Sequence, residues 1–174
     1  MRITLRYVLA PANVITLVGL IITIIGCFKL NTLSGLGLVL IGRSFDLLDG
    51  PVARFMNDTR ISKFFDPTAD KIALTAILLS VLAYGLTPWY IVLYVAFQNV
   101  LVAILSVKAL KAGKAEGAAI SGKLNVFFQT MSILLFIVSH LFTGQFAHFA
   151  NIAAYASILL SLPLAFRAIF VYSR

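Results

Sequence analysis

Asp46-Leu47-Leu48-Asp49-Gly50-Pro51-Val52-Ala53-Arg54, followed a few residues later by Phe65-Asp66-Pro67-Thr68-Ala69-Asp70-Lys71, holds four of the chain's six acidic residues. The 174-residue chain around these segments is 61% hydrophobic, with a mean hydropathy of +1.02, which marks an integral membrane protein. A carboxylate inside a membrane-embedded segment is costly and is almost always functional. Four of them close together repel one another unless a cation lies between them. A divalent-metal site is therefore expected, and in a bilayer protein such a site points to phosphate chemistry or to transport.

On a helix, residues three, four and seven apart share a face. Asp46, Asp49, Gly50, Ala53 and Arg54 fall at offsets 0, 3, 4, 7 and 8, so they form one stripe. Asp66 and Asp70 are one helical turn apart on the next apolar segment. The connection between the segments, residues 56–62, is short and polar, which predicts antiparallel neighbouring helices whose acidic stripes face each other. Such a hairpin offers oxygen ligands to one or two hard cations. Gly50 leaves room for a ligand near the backbone, and Arg54 offers a planar fork suited to phosphate. The plainer reading is ion pairing, with Arg43, Arg54 and Lys71 neutralising the acids.

About 20 apolar residues are needed to cross a bilayer as a helix. Six segments qualify, near Asn13–Phe28, Leu33–Phe55, Lys63–Tyr84, Pro88–Leu110, Lys123–Phe142 and His148–Tyr172. The expected fold is all-α: a single domain over residues 1–174, built as a six-transmembrane-helix bundle. Residues Met1 to Ala12 are expected to form a short interfacial helix rather than a cleavable signal. Arg2 and Arg6, the Arg54–Lys71 cluster, Lys108 to Lys123, and Arg167 and Arg174 all fall on one side of this arrangement, and Lys29 on the other. The asymmetry predicts cytoplasmic termini and a cytoplasmic active site. Glycines and serines along the first two spans, Gly19, Gly26, Gly35 and Gly42 among them, signal close helix packing.

The net charge of +8 is explained by membrane topology and anionic lipid, so no nucleic-acid partner is expected. The sole cysteine, Cys27, reads as a small core residue. His140 and His148 read as interfacial.

The acidic stretch resembles the signature of the CDP-alcohol phosphatidyltransferases, Asp-x-x-Asp-Gly-x-x-Ala-Arg followed by Gly-x-x-x-Asp-x-x-x-Asp. Asp46, Asp49, Gly50, Ala53, Arg54, Asp66 and Asp70 match it. The spacer after Arg54 is one residue shorter, and Ser62 stands where the pattern has its second glycine. The Pro11-Ala12-Asn13-Val14-Ile15-Thr16 entry to the first span and Ser121-Gly122-Lys123-Leu124-Asn125 at the fifth extend the likeness. The resemblance implies transfer of a phosphatidyl group from CDP-diacylglycerol to an alcohol, with release of CMP. It implies Asp46, Asp49, Asp66 and Asp70 as ligands of Mg2+ or Mn2+, two ions being the favoured number. It makes Asp70 the base for the acceptor hydroxyl, and gives Asp49, Gly50, Ala53, Arg54 and Ser62 to the nucleotide and its diphosphate. It also suggests a homodimer and, with no Arg- and Ser-rich presequence apparent, a bacterial inner membrane.

For an anionic acceptor alcohol the candidates are Arg60, Ser121 and Lys123. Asp66-Pro67-Thr68-Ala69-Asp70-Lys71 resembles the glycerol-type branch, phosphatidylglycerophosphate and CMP-forming cardiolipin synthases. That branch favours glycerol 3-phosphate or phosphatidylglycerol over inositol phosphate or serine. Gly19 and Gln98-Asn99 depart from it, because its members carry charged residues there. Two rival readings are an intramembrane prenyltransferase, whose acidic motifs lie farther apart, and a divalent-cation transporter, in which an inverted repeat is expected.

Overall fold

The computed structural model describes the backbone of residues 11–55, 62–111 and 120–173, and the side chains of residues 13–45, 69–105, 122 and 124–170. All regular structure among them is α-helical: α1 (Pro11–Cys27), α2 (Leu33–Phe55), α3 (Ser62–Ala83), α4 (Trp89–Lys111), α5 (Ile120–Leu141) and α6 (Gln145–Ser173). Each helix coincides with one of the six apolar segments, to within a few residues at its ends. The interfacial helix expected over residues 1–12 lies almost wholly outside the described residues. The chain divides after Tyr84 into two compact units, the first carrying α1–α3 and the second α4–α6.

In the first unit α1 is the common support. It packs along α2 and also touches α3. The α1–α2 contact is built from glycines seven residues apart on each helix, Gly19 and Gly26 against Gly35 and Gly42. A Cβ added at Gly26 would lie 2.8 Å from the backbone nitrogen of Val39 and 2.9 Å from the Gly35 carbonyl oxygen, so the two backbones touch. Thr23 on α1 turns its hydroxyl onto the Gly19 carbonyl at 2.8 Å, which satisfies it within the helix. The turn into α2 is capped by Thr32. Its hydroxyl oxygen accepts the Gly35 N–H at 3.2 Å, and its carbonyl accepts the Leu36 N–H at 3.1 Å. Ala69, Ala73 and Val81, spaced by four and then eight residues, mark the buried stripe of α3. The Tyr84 hydroxyl then donates to the Phe28 carbonyl at 2.6 Å and ties the end of α3 to the end of α1.

In the second unit α5 and α6 form a hairpin across Phe142, Thr143 and Gly144. Gly144 has φ +74°, a left-handed conformation that any side chain would strain. Small residues on α6, Ala150, Ala154, Ser161, Ala165 and Ala168, form a buried stripe, with Ile133, Phe136 and Ile137 buried on α5. The Ser132 hydroxyl crosses the hairpin to the Ala154 carbonyl at 2.8 Å, and the rings of Phe136 and Tyr155 meet edge to face at 5.0 Å. Tyr94 on α4 reaches the Ser161 hydroxyl at 3.2 Å.

Two helical stretches, Leu124–Leu141 and Gln145–Phe170, are long and apolar enough to cross a membrane. Shorter apolar helical stretches cover Asn13–Cys27, Leu33–Phe45 and Trp89–Leu105. α1 is 17 residues long, and the second half of α2 and first half of α3 carry the charged motif. Large apolar side chains face outward along the helices, including Ile21 and Ile25 on α1, Phe97 and Val100 on α4, and Phe166 and Phe170 on α6.

Candidate functional site

Asp46, Asp49, Gly50, Ala53 and Arg54 all fall within α2, and Asp66 and Asp70 within α3, as their spacing predicts. Ser62, in the position of the family glycine, is the first residue of α3. Ser121 and Lys123 lie in the first turn of α5. Among these residues only Asp70 has a described side chain; those of Asp46, Asp49, Ala53, Arg54, Ser62, Asp66, Ser121 and Lys123 lie outside the described set, and Arg60 lies outside it altogether.

Asp70 is held by Arg43. The guanidinium of Arg43 on α2 donates a hydrogen bond to the carboxylate of Asp70 on α3, forming an ion pair between the two helices. This is one of the pairings expected from the plainer reading of the acids. It is not buried, however: Arg43 is 36% exposed and Asp70 58%. Water and small ions therefore reach the carboxylate.

At a rise of 1.5 Å per residue, Arg43 stands roughly 18 Å before the end of α2 and Asp70 roughly 12 Å after the start of α3. The pair brings the two acid-bearing helices together at these positions, a contact compatible with the antiparallel hairpin expected from the short connection. In an antiparallel pairing Asp46, three residues after Arg43, would come level with Asp66, four residues before Asp70. Among residues with described side chains, no three acidic, histidine or cysteine groups converge.

A hard divalent cation takes carboxylate oxygens. Asp70, the one of the four aspartates whose side chain is described, offers an accessible carboxylate of the kind such an ion takes.

In the second unit a chain of buried amides joins α4 to α5. The Asn99 amide nitrogen donates to the Gln129 side-chain oxygen at 3.2 Å and to the Val95 carbonyl at 2.8 Å. The Gln129 amide nitrogen donates in turn to the Asn125 side-chain oxygen at 3.4 Å. Asn125 and Gln129 are each only 2% exposed. Helical spacing alone brings Asn125 and Gln129 together, but not Asn99. Their partners lie one turn away on α5 and across to α4, and only the interhelical part was beyond reach of helical spacing.

The family model for CDP-alcohol phosphatidyltransferase matches residues 9–166. The chain belongs to that family. Among its relatives is a CDP-diacylglycerol–glycerol-3-phosphate 3-phosphatidyltransferase of Bacillus subtilis (strain 168). It is 26% identical over 132 residues, covering 75% of this chain and 68% of that protein. A probable phosphatidylglycerophosphate synthase of Mycobacterium tuberculosis (strains CDC 1551 / Oshkosh and ATCC 25618 / H37Rv) is 29% identical over 118 residues, 67% of this chain and 55% of that protein. The chain thus spans between about half and two thirds of the length of those relatives. No solved structure matches it significantly. The relatives' names fall in the glycerol-type branch to which Asp66-Pro67-Thr68-Ala69-Asp70-Lys71 pointed. Family membership sets aside the prenyltransferase and transporter readings.

Proposed function

We propose that this phosphatidyltransferase moves a phosphatidyl group from CDP-diacylglycerol to a glycerol-type alcohol, with glycerol 3-phosphate favoured, and releases CMP. The observation that carries the reading is the Arg43–Asp70 ion pair, which joins the two helices that bear the family's seven motif residues. The names of the relatives support the choice of acceptor.

In this reading Asp46, Asp49, Asp66 and Asp70 hold two divalent ions, Mg2+ or Mn2+. Bound there, such ions neutralise charge on the diphosphate of the CDP-lipid and on the departing CMP. Arg54 forks onto a phosphate, while Gly50, Ala53 and Ser62 border the nucleotide. The acceptor oxygen attacks the phosphorus that bears the diacylglycerol. The bond from that phosphorus to the bridging oxygen breaks, and CMP leaves with the bonding pair. Asp70 takes the acceptor's hydroxyl proton. Arg60, Ser121 and Lys123 receive the acceptor's own phosphate.

The same proposal includes a six-span bundle with its termini and active site on the cytoplasmic face of a bacterial inner membrane. Helix lengths, outward apolar side chains and the one-sided distribution of Lys and Arg support it. A homodimer is included on family likeness.

The deciding experiment offers purified protein CDP-diacylglycerol with Mg2+ or Mn2+ and, in separate reactions, glycerol 3-phosphate, phosphatidylglycerol, inositol phosphate or serine. CMP release and the mass of the lipid product are read. Release with glycerol 3-phosphate alone is expected. Release only with inositol phosphate or serine overturns the acceptor, and no CMP with any alcohol overturns the activity.

A further inference from the structure

Arg43 lies outside the family signature. It precedes Asp46 by three residues, at the edge of the apolar stretch Leu33–Phe45, where an ionised side chain is expensive unless it has a task. Its carboxylate partner is Asp70, 27 residues away on the neighbouring helix. Asp70 is the acid that the proposed reaction uses as its base. Both groups are open to water.

We propose that Arg43 is the built-in counter-cation of Asp70: it holds the carboxylate while the site carries no divalent ion, and is displaced from it when an ion binds. The inference rests on the metal-dependent reading above. Guanidinium and metal compete for the same oxygens, so they exclude one another on Asp70. A guanidinium offers Asp70 a single positive charge in a water-exposed pair, and exposed pairs are weak. A divalent ion brings twice the charge and can share several carboxylates of one hairpin, so it prevails once present. With the metal absent, the pair offsets the charge of Asp70 and links α3 to α2. Arg43 is thus a positioning residue. It occupies Asp70 in the metal-free protein and sets a threshold that the metal must exceed.

The test is a Mn2+ titration of the purified full chain, followed by electron paramagnetic resonance of free Mn2+. Four proteins are compared: wild type, Arg43→Gln, Arg43→Lys and Lys71→Gln. Removing the competitor should tighten Mn2+ binding about threefold to fivefold in Arg43→Gln, the range an exposed ion pair commands. Arg43→Lys keeps the charge but loses the planar fork, and should bind about twofold tighter than wild type. Lys71→Gln removes the same charge one residue beyond Asp70 and should change binding less than Arg43→Gln does. Equal tightening in Arg43→Gln and Lys71→Gln would mean a general charge effect and overturn the exchange, as would unchanged or weaker binding in Arg43→Gln. If Arg43→Gln does not fold, Arg43→Lys decides: tighter binding than wild type supports the exchange, and equal or weaker binding overturns it. A wild type that binds no Mn2+ sinks the metal reading together with the exchange. A wild type that binds Mn2+ while the Arg43 variants match it sinks the exchange alone.

Discussion

Gly19 of α1 and Gly42 of α2 meet back to back. A Cβ on Gly19 would lie 2.8 Å from the Gly42 carbonyl oxygen, and one on Gly42 would lie 2.6 Å from the Gly19 carbonyl oxygen. Gly42 also immediately precedes Arg43. Gly42→Ala would place its methyl against backbone and against the Thr23 hydroxyl, so the helices must part. A loss of about 1–3 kcal/mol is expected, in the range of overpacked cores. Thermal unfolding in detergent, followed by circular dichroism, checks it. An unchanged midpoint would mean that the two helices are not in contact at Gly42.

Asp70→Asn keeps the shape of the side chain but removes its ability to take a proton. CDP-lipid binding should persist, while CMP release should fall by about 10²- to 10⁴-fold, the usual worth of a general base. Binding is measured by titration of the labelled CDP-lipid and turnover by CMP release. A variant that turns over at the wild-type rate would remove Asp70 from its proposed role.

Chelation should stop the reaction completely and reversibly. EDTA is expected to abolish CMP release, and Mg2+ or Mn2+ added in excess to restore it. Full activity after exhaustive chelation and removal of the chelator–metal complex would show that the four aspartates serve some other purpose.

Arg54→Lys preserves charge and loses the two-pronged geometry. The KM for CDP-diacylglycerol should rise by about tenfold, as loss of one charge-assisted hydrogen bond of ~1.5 kcal/mol would produce. The KM for the acceptor alcohol should not move. Initial-rate kinetics in both substrates separate the two, and a shift confined to the acceptor would reassign Arg54.

The Asn99–Gln129 contact is a part-buried hydrogen bond between side-chain amides of two helices. Gln129→Leu leaves the Asn125 side-chain oxygen without its donor and removes one acceptor of the Asn99 amide N–H, and should destabilise by about 1 kcal/mol. A double-mutant cycle with Asn99→Ala measures the pair directly. Additive losses would show that the two side chains do not interact.

Much of this fold was legible in the chain because each helix is an apolar run broken by a short polar or glycine-containing turn. The ends of α2 were placed at Leu33 and Phe55 by sequence and lie there in the structure. α6 starts at Gln145, ahead of the expected His148, because Gly144 completes the reversal within three residues of α5. The acidic stripes were readable because helical spacing fixes which residues share a face. The union of Arg43 with Asp70 in particular was not. It was one of several possible pairings, and the choice among them depends on the register between helices, which no periodicity within one helix encodes. The glycines of α1 and α2 announced close packing but not their partner. That α1 lies against both acid-bearing helices emerges only from the assembled unit.

α1 bears no charged side chain and none of the acidic motif, yet it is in contact with both helices that do. Enlarging a buried position of α1, such as Thr23, would therefore press on the helices that carry the aspartates, although α1 holds none of them itself.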